Sequence, residues 1–240
     1  MSNSELKLLS TTAMKTTMDE LAPQFERASG RTLKASYAPS AQIARRVAEG
    51  EAADVAIATG PGIEGLIRQG RIVAGSRVDI ARSAIGVAVR AGAPPPDISS
   101  VAAFVPALLA AKSIAMSNPV GGGASGTHMW SVFERLGIAE KLKPKTIFGP
   151  GGPAGLIGFF LLRGEAEIGL QQMPELMAVP GIDIVGPVPG EMQNITVFAA
   201  GITAHAGDPA AGKKFIEFLT TPAAAKAIKA KGMEPVSASS

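Results

Sequence analysis

The 240-residue chain, 46% hydrophobic, is long enough for one large domain or two smaller lobes with real cores. Its 23 Lys and Arg stand against 20 Asp and Glu, a formal net charge of +3, and they are scattered rather than massed among aromatics, which argues against a nucleic-acid interface. Cysteine is absent, which excludes disulfides, thiolate metal sites and a cysteine nucleophile, and no apolar run reaches the roughly 18 residues that a membrane-spanning helix needs.

The opening "MSNSELKLLSTTAMK" has no basic segment followed by an apolar run and a small-residue cleavage site. As written, the chain is expected in the cytoplasm; a periplasmic protein whose leader had been replaced by a start methionine would read the same way. Residues 6–10 read as a short buried strand. Thr11 and Thr12 then lead into a helix with Met14, Met18, Leu21, Ala22 and Phe25 on one face. A strand over 33–37, a helix opened by Ser40 and a buried strand "ADVAIAT" follow, a βαβαβ beginning that implies a parallel sheet with right-handed crossovers. Residues 78–90 read as one long β-like run, and "AGAPPPDISS" after it marks a boundary. A second series places strands over 113–116, 146–148 and 167–170 and helices from near Gly126, Ala154 and Pro174. A β-like run over 194–200 precedes two helices whose starts, Asp208-Pro209 and Thr221-Pro222, pair a polar cap with proline in the first turn.

Low aromatic content (5%) with 28 glycines and 18 prolines fits many short elements joined by tight turns. The expected class is α/β in two lobes, with lobe 1 formed by 1–82 plus 200–240 and lobe 2 by 83–199. Crossover strands lie near 80–90 and 193–200, and a cleft lies between the lobes.

Several motifs fall short of the chemistry they suggest. "GDPAAGKK" nearly matches a phosphate-binding loop, but Lys214 stands where a hydroxyl would hold magnesium. "GASGT" misses the nucleophile elbow because Thr127 replaces the final glycine. Two histidines without cysteine cannot build a three-histidine or Cys/His metal site, which leaves only a carboxylate-rich metal site open; neither metal nor cofactor is expected. His205 reads as a surface loop residue, and Trp130 and Phe133 as core. His128 falls near the start of a helix, where structural packing and ligand contact are equally open readings.

The stronger signal is a recurrence. Thr11 and Thr12, Ser40, Ser125 with Thr127, and the glycine-rich "GPGGPAG" over 149–155 each follow a strand and open a helix. Each alone is an ordinary cap. Together they stand at the carboxyl ends of strands, where open α/β sheets bind ligands, and helix starts favour an anion held by neutral donors.

The stretches "LLSTTAMKTTMDELAPQFERASG", "SYAPSAQIARRVAEGEAADVAIAT", "GGGASGTHMWSVFERLG", "LLRGEAEIGLQQ" and "DPAAGKKFIEFL" resemble the molybdate-binding protein family. That family comprises ABC-transporter solute-binding proteins of the type II periplasmic-binding fold, with a ligand cleft between two lobes. The resemblance implies a monomer that binds a small anion and works with a transporter permease. It implies ligand contacts from Thr11, Thr12, Ser40, Ser125, Gly126, Thr127, Gly152, Ala154 and Gln172, and the repeated strand–hydroxyl–helix pattern predicts that Thr12, Ser40, Ser125 and Gln172 line one cleft. Two departures bear on the ligand: Ala13 stands where the family has a serine, and Gln172 where it has a tyrosine. An organic carboxylate thereby becomes a candidate beside molybdate.

Three functions share such a site. A non-enzymatic receptor is the preferred reading, because no acid/base constellation accompanies the donors. An isomerase acting on a small polycarboxylate, like the aconitate isomerases that resemble this family, would use His128 as base and Lys15 as carboxylate partner. A cytoplasmic anion sensor is the third.

Overall fold

The computed structural model describes residues 5–121 and 123–236; the first residues of the stretch read for a leader, and Gly122 in the glycine run, lie outside this range. In chain order the elements are β1 (Glu5–Thr11), α1 (Lys15–Ser29), β2 (Thr32–Ala38), α2 (Ser40–Ala48), β3 (Val55–Thr59), α3 (Gly60–Arg68), β4 (Val78–Ser83), β5 (Ile85–Arg90), α4 (Val101–Ala110) and β6 (Ile114–Ser117). There follow α5 (Ala124–Arg135), α6 (Ala139–Leu142), β7 (Thr146–Gly149), α7 (Gly158–Leu162), β8 (Ile168–Gln172), α8 (Met173–Met177), β9 (Ile182–Pro187), β10 (Thr196–Ile202), α9 (Pro209–Phe218), α10 (Pro222–Ala230) and β11 (Glu234–Pro235). No helix among the described residues is long and apolar enough to cross a membrane.

The chain forms two compact units, Met1–Ser83 with Thr196–Ser240, and Ala84–Ile195. In the first, six strands run in the order β11-β4-β10-β3-β1-β2, with β1 parallel to both β2 and β3 and β10 antiparallel to β3 and β4. Helices cover both faces of the sheet, so alternate strand residues enter different cores. Leu6, Leu8, Val55 and Ile57 pack with Met14, Met18, Leu21 and Phe25, whereas Leu9, Ala56 and Ala58 pack with Ile43, Val47, Ile63 and Leu66. Burial on both faces is why these strands read as nearly unbroken apolar runs.

In the second unit five strands run in the order β7-β6-β8-β5-β9, with β6, β7 and β8 mutually parallel and β5 antiparallel to β8 and β9. Val87, Met116 and Leu170 pack with Phe104, Met129 and Phe133 on one side, and Ala88 and Ala115 pack with Ile157, Leu161 and Leu176 on the other.

The apolar run over 78–90 is two strands in two different sheets, divided at Ala84. Alternation reports burial, not sheet membership, so the break left no mark in the pattern. The strand expected over 194–200 starts two residues later, at Thr196, and belongs wholly to the first sheet, so a division between 199 and 200 falls inside it. Near Ala154 there is only a single 3-10 turn, Pro153–Gly155, and the helix proper begins at Gly158.

Five elements went unread: the short α6 and β11, and α3, α4 and β9, whose local signals mislead. In α3 the leading Gly-Pro-Gly imitates a turn, although Thr59 caps the helix with proline in its first turn. In α4 an interior Pro106 masks the helix, and in β9 flanking glycine and proline hide the strand.

Candidate binding site

In the first unit, parallel β1, β2 and β3 place Thr11, Ala38 and Thr59 at one sheet edge, each followed by a helix start. The three starts differ. Thr59 Oγ1 accepts the Gly62 N–H at 3.3 Å, so α3 is capped from within. Neither the 3-10 turn Thr12–Met14 that leads into α1 nor α2 has a side-chain cap, and the Thr12 carbonyl accepts the Lys15 N–H. The first N–H groups of a helix have no carbonyl of their own turn to bond, and they concentrate partial positive charge.

Ser40 is the first residue of α2, not its cap, and its hydroxyl donates to Thr11 Oγ1 at 2.8 Å. Thr12, only 5% exposed, carries a buried hydroxyl with no hydrogen-bond partner among the described residues. Such a group costs about 1–3 kcal/mol unless something bonds it. Thr11 and Ser40 are thus joined across the ends of β1 and β2, and Thr12 follows Thr11 in the chain.

Lys15, in the first turn of α1, is paired with Asp19 at 2.6 Å and lies 5.5 Å from the Tyr37 ring. Burial, with the Asp19 charge second, pushes the Tyr37 phenol well above its usual range, so it stays a neutral hydroxyl at the end of β2. Tyr37 carried no functional weight in the sequence reading.

In the second unit, parallel β6, β7 and β8 end at Ser117, Gly149 and Gln172. The glycines before α5 are packing glycines. A Cβ on Gly126 would sit 2.0 Å from the Ser117 carbonyl oxygen, and one on Gly123 would sit 2.6 Å from Ser117 Cβ. Their absence lets α5 lie directly against the end of β6, which buries Ser125 to 2% exposure. Again no side chain caps the helix.

Gly152 adopts φ +73°, a conformation that glycine tolerates best, in the turn after β7. Gln171 Oε1 accepts the Ile157 N–H at 2.8 Å and ties that loop to β8. Gln172, 2% exposed, closes β8, and the Glu175 carboxyl in the first turn of α8 accepts the Gln172 backbone N–H. Glu175 keeps a little exposed surface, yet protein atoms crowd its carboxyl, and this burial pushes its pKa up to about 8.

Not every expected residue holds its place. The Thr127 side chain is exposed and donates to the Pro119 carbonyl at 3.1 Å, so it tethers the loop. Ala154 is exposed on its 3-10 turn. His128 Nε2 meets the Met192 carbonyl at 2.9 Å; a carbonyl only accepts, so this nitrogen carries the proton and pins the 190–192 turn to α5. Lys15 and His128 belong to different units. Glu175 was missed, although Gln172-x-x-Glu175 is a spacing at which an acidic side chain reaches back to the start of its helix.

Residues 6–234 match the family model described as bacterial extracellular solute-binding protein. An aconitate isomerase from Pseudomonas sp. is 37% identical over 239 residues, covering 97% of this chain and 88% of that protein. Among solved structures, the periplasmic molybdate-binding protein of Azotobacter vinelandii superposes with TM-score 0.77 at 22% identity, covering 98% of this chain and 100% of that one. The sulfate-binding protein SubI of Mycobacterium tuberculosis gives 0.79 at 19%, covering 97% and 87%. At these identities the likeness concerns the fold, which is the two-lobed periplasmic-binding type.

Proposed function

The chain belongs to the bacterial extracellular solute-binding protein family, and from that premise we propose that it binds a small polycarboxylate and isomerises it, as the name of its Pseudomonas relative says of that protein. The observation that carries the binding half is the buried, unpartnered Thr12 hydroxyl beside two helix starts without side-chain caps. Those donors suit a carboxylate oxygen, and a polycarboxylate has several. The isomerase half rests on 37% identity over nearly the whole chain, against 22% or less for the oxyanion-binding structures described above.

A pure receptor, delivering its ligand to a transporter permease, is the second reading, favoured by the family's own description. Calorimetry with cis- and trans-aconitate, citrate, succinate, molybdate, tungstate, sulfate and phosphate tests the ligand class. A tricarboxylate binding most tightly is expected; an inorganic oxyanion binding most tightly would contradict the proposal.

A further inference from the structure

Within the isomerase reading, on which this inference rests, we propose that Glu175, not His128, removes and returns the substrate proton. Position is the first reason. Glu175 lies three residues beyond Gln172, at the sheet edge where β6, β7 and β8 end and the buried Ser125 begins α5, and its carboxyl reaches back to the Gln172 N–H.

Its environment is the second. Among the described residues of Ala84–Ile195, Glu175 is the only acidic residue that is not exposed, and no ion pair involves it. Helix α8 packs on β5, β8 and β9. Their charged residues stand at the far end: Ile85 faces Gln172 across the sheet, whereas Arg90 faces Ile182 and Asp183 faces Val89. No neighbouring cation fixes Glu175 as a permanent carboxylate. A carboxyl held near neutrality in its pKa can both take and give a proton at ordinary pH, and its neutral form does not repel a polyanion.

The alternatives are committed elsewhere. His128 spends Nε2 on the Met192 carbonyl, and Lys15 is paired with Asp19 in the other unit.

The step balances without any co-reactant. The Glu175 carboxylate takes a proton from the CH2 next to a substrate carboxylate, and that C–H electron pair becomes the new carbon–carbon double bond. The former double-bond pair moves to the far allylic carbon, which receives the proton back from Glu175. The double bond has migrated, nothing has been oxidised or reduced, and the glutamate is regenerated.

The test follows solvent deuterium entering cis-aconitate, with calorimetric binding of the same compound measured in parallel. Glu175→Gln should bind within about threefold of the native protein while exchange falls by on the order of 10²–10⁴. Glu175→Asp should restore part of the rate, and His128→Gln should keep exchange within about tenfold. Native-like exchange by Glu175→Gln overturns this assignment and leaves the isomerase reading standing. Loss of binding in both Glu175 variants also overturns it, by making Glu175 a ligand-holding residue. If the native protein, with binding intact, neither exchanges nor forms trans-aconitate, the isomerase reading falls and this proposal with it; trans-aconitate formed without exchange is direct return of the same proton, and the variants are then compared by the trans-aconitate they form.

Discussion

Replacing Glu175 by glutamine removes a carboxyl whose burial moves its pKa from 4.5 to about 8, and it should change how stability depends on pH. Below about pH 4.5 the group is protonated in folded and unfolded chains alike and contributes nothing. Between about 4.5 and 8 the unfolded chain has lost the proton while the folded chain keeps it. The unfolded state then binds fewer protons, so native stability falls as pH rises, and the loss is complete above about 8. At 1.36 kcal/mol per pKa unit, the full loss is on the order of 5 kcal/mol. Glutamine cannot ionise, and its Oε1 can still accept the Gln172 N–H. The variant should match the native protein near pH 4.5 and exceed its stability by several kcal/mol, on the order of 5, by pH 8.5. Urea unfolding followed by the single tryptophan, Trp130, reads the unit that carries Glu175. A stability difference that stays constant from pH 4.5 to 8.5 would mean that Glu175 ionises alike in the folded and unfolded chain.

Three further outcomes follow from the site. Gly126→Ala places a Cβ 2.0 Å from the Ser117 oxygen; it should cost about 1–3 kcal/mol or more in urea unfolding, and an unchanged midpoint would show that the contact does not constrain the helix. Thr12→Val keeps shape and removes a hydroxyl that has no partner in the protein; stability should hold or rise while ligand affinity drops by about 1.5–3 kcal/mol, roughly tenfold to a hundredfold, and unchanged affinity by calorimetry would place Thr12 outside the site. Molybdate should bind less tightly than the best carboxylate, because Ala13 and Gln172 replace two hydroxyl residues of the family it resembles; a nanomolar molybdate constant, tighter than every carboxylate, would refute this.

Most of the fold was legible because its signals are local. The period of Met14, Met18, Leu21 and Phe25 announced α1, and Asp208-Pro209 and Thr221-Pro222 announced the last two long helices. What was hidden depends on partners distant in sequence: the break at Ala84 between two sheets, or the reason for glycine at 126, which is the Ser117 carbonyl nine residues earlier. In the site, hydroxyls after strands were readable as a class. Which of them remain open was not, since Thr59 and Thr127 spend their oxygens locally while Thr12 does not. His128 attracted attention by its type, but its role is fixed by a carbonyl 64 residues away. Glu175 looked ordinary because burial, which gives it its chemistry, is a tertiary property.

The most direct measurement of the central claim is proton NMR of cis-aconitate incubated with the native protein in buffered water, with a heat-inactivated sample as control. The trans isomer should appear with the native protein, and the same final ratio should be reached when the reaction starts from trans-aconitate. If calorimetry shows aconitate bound and the spectrum of either isomer remains unchanged, the protein is a receptor and the claim of isomerisation is wrong.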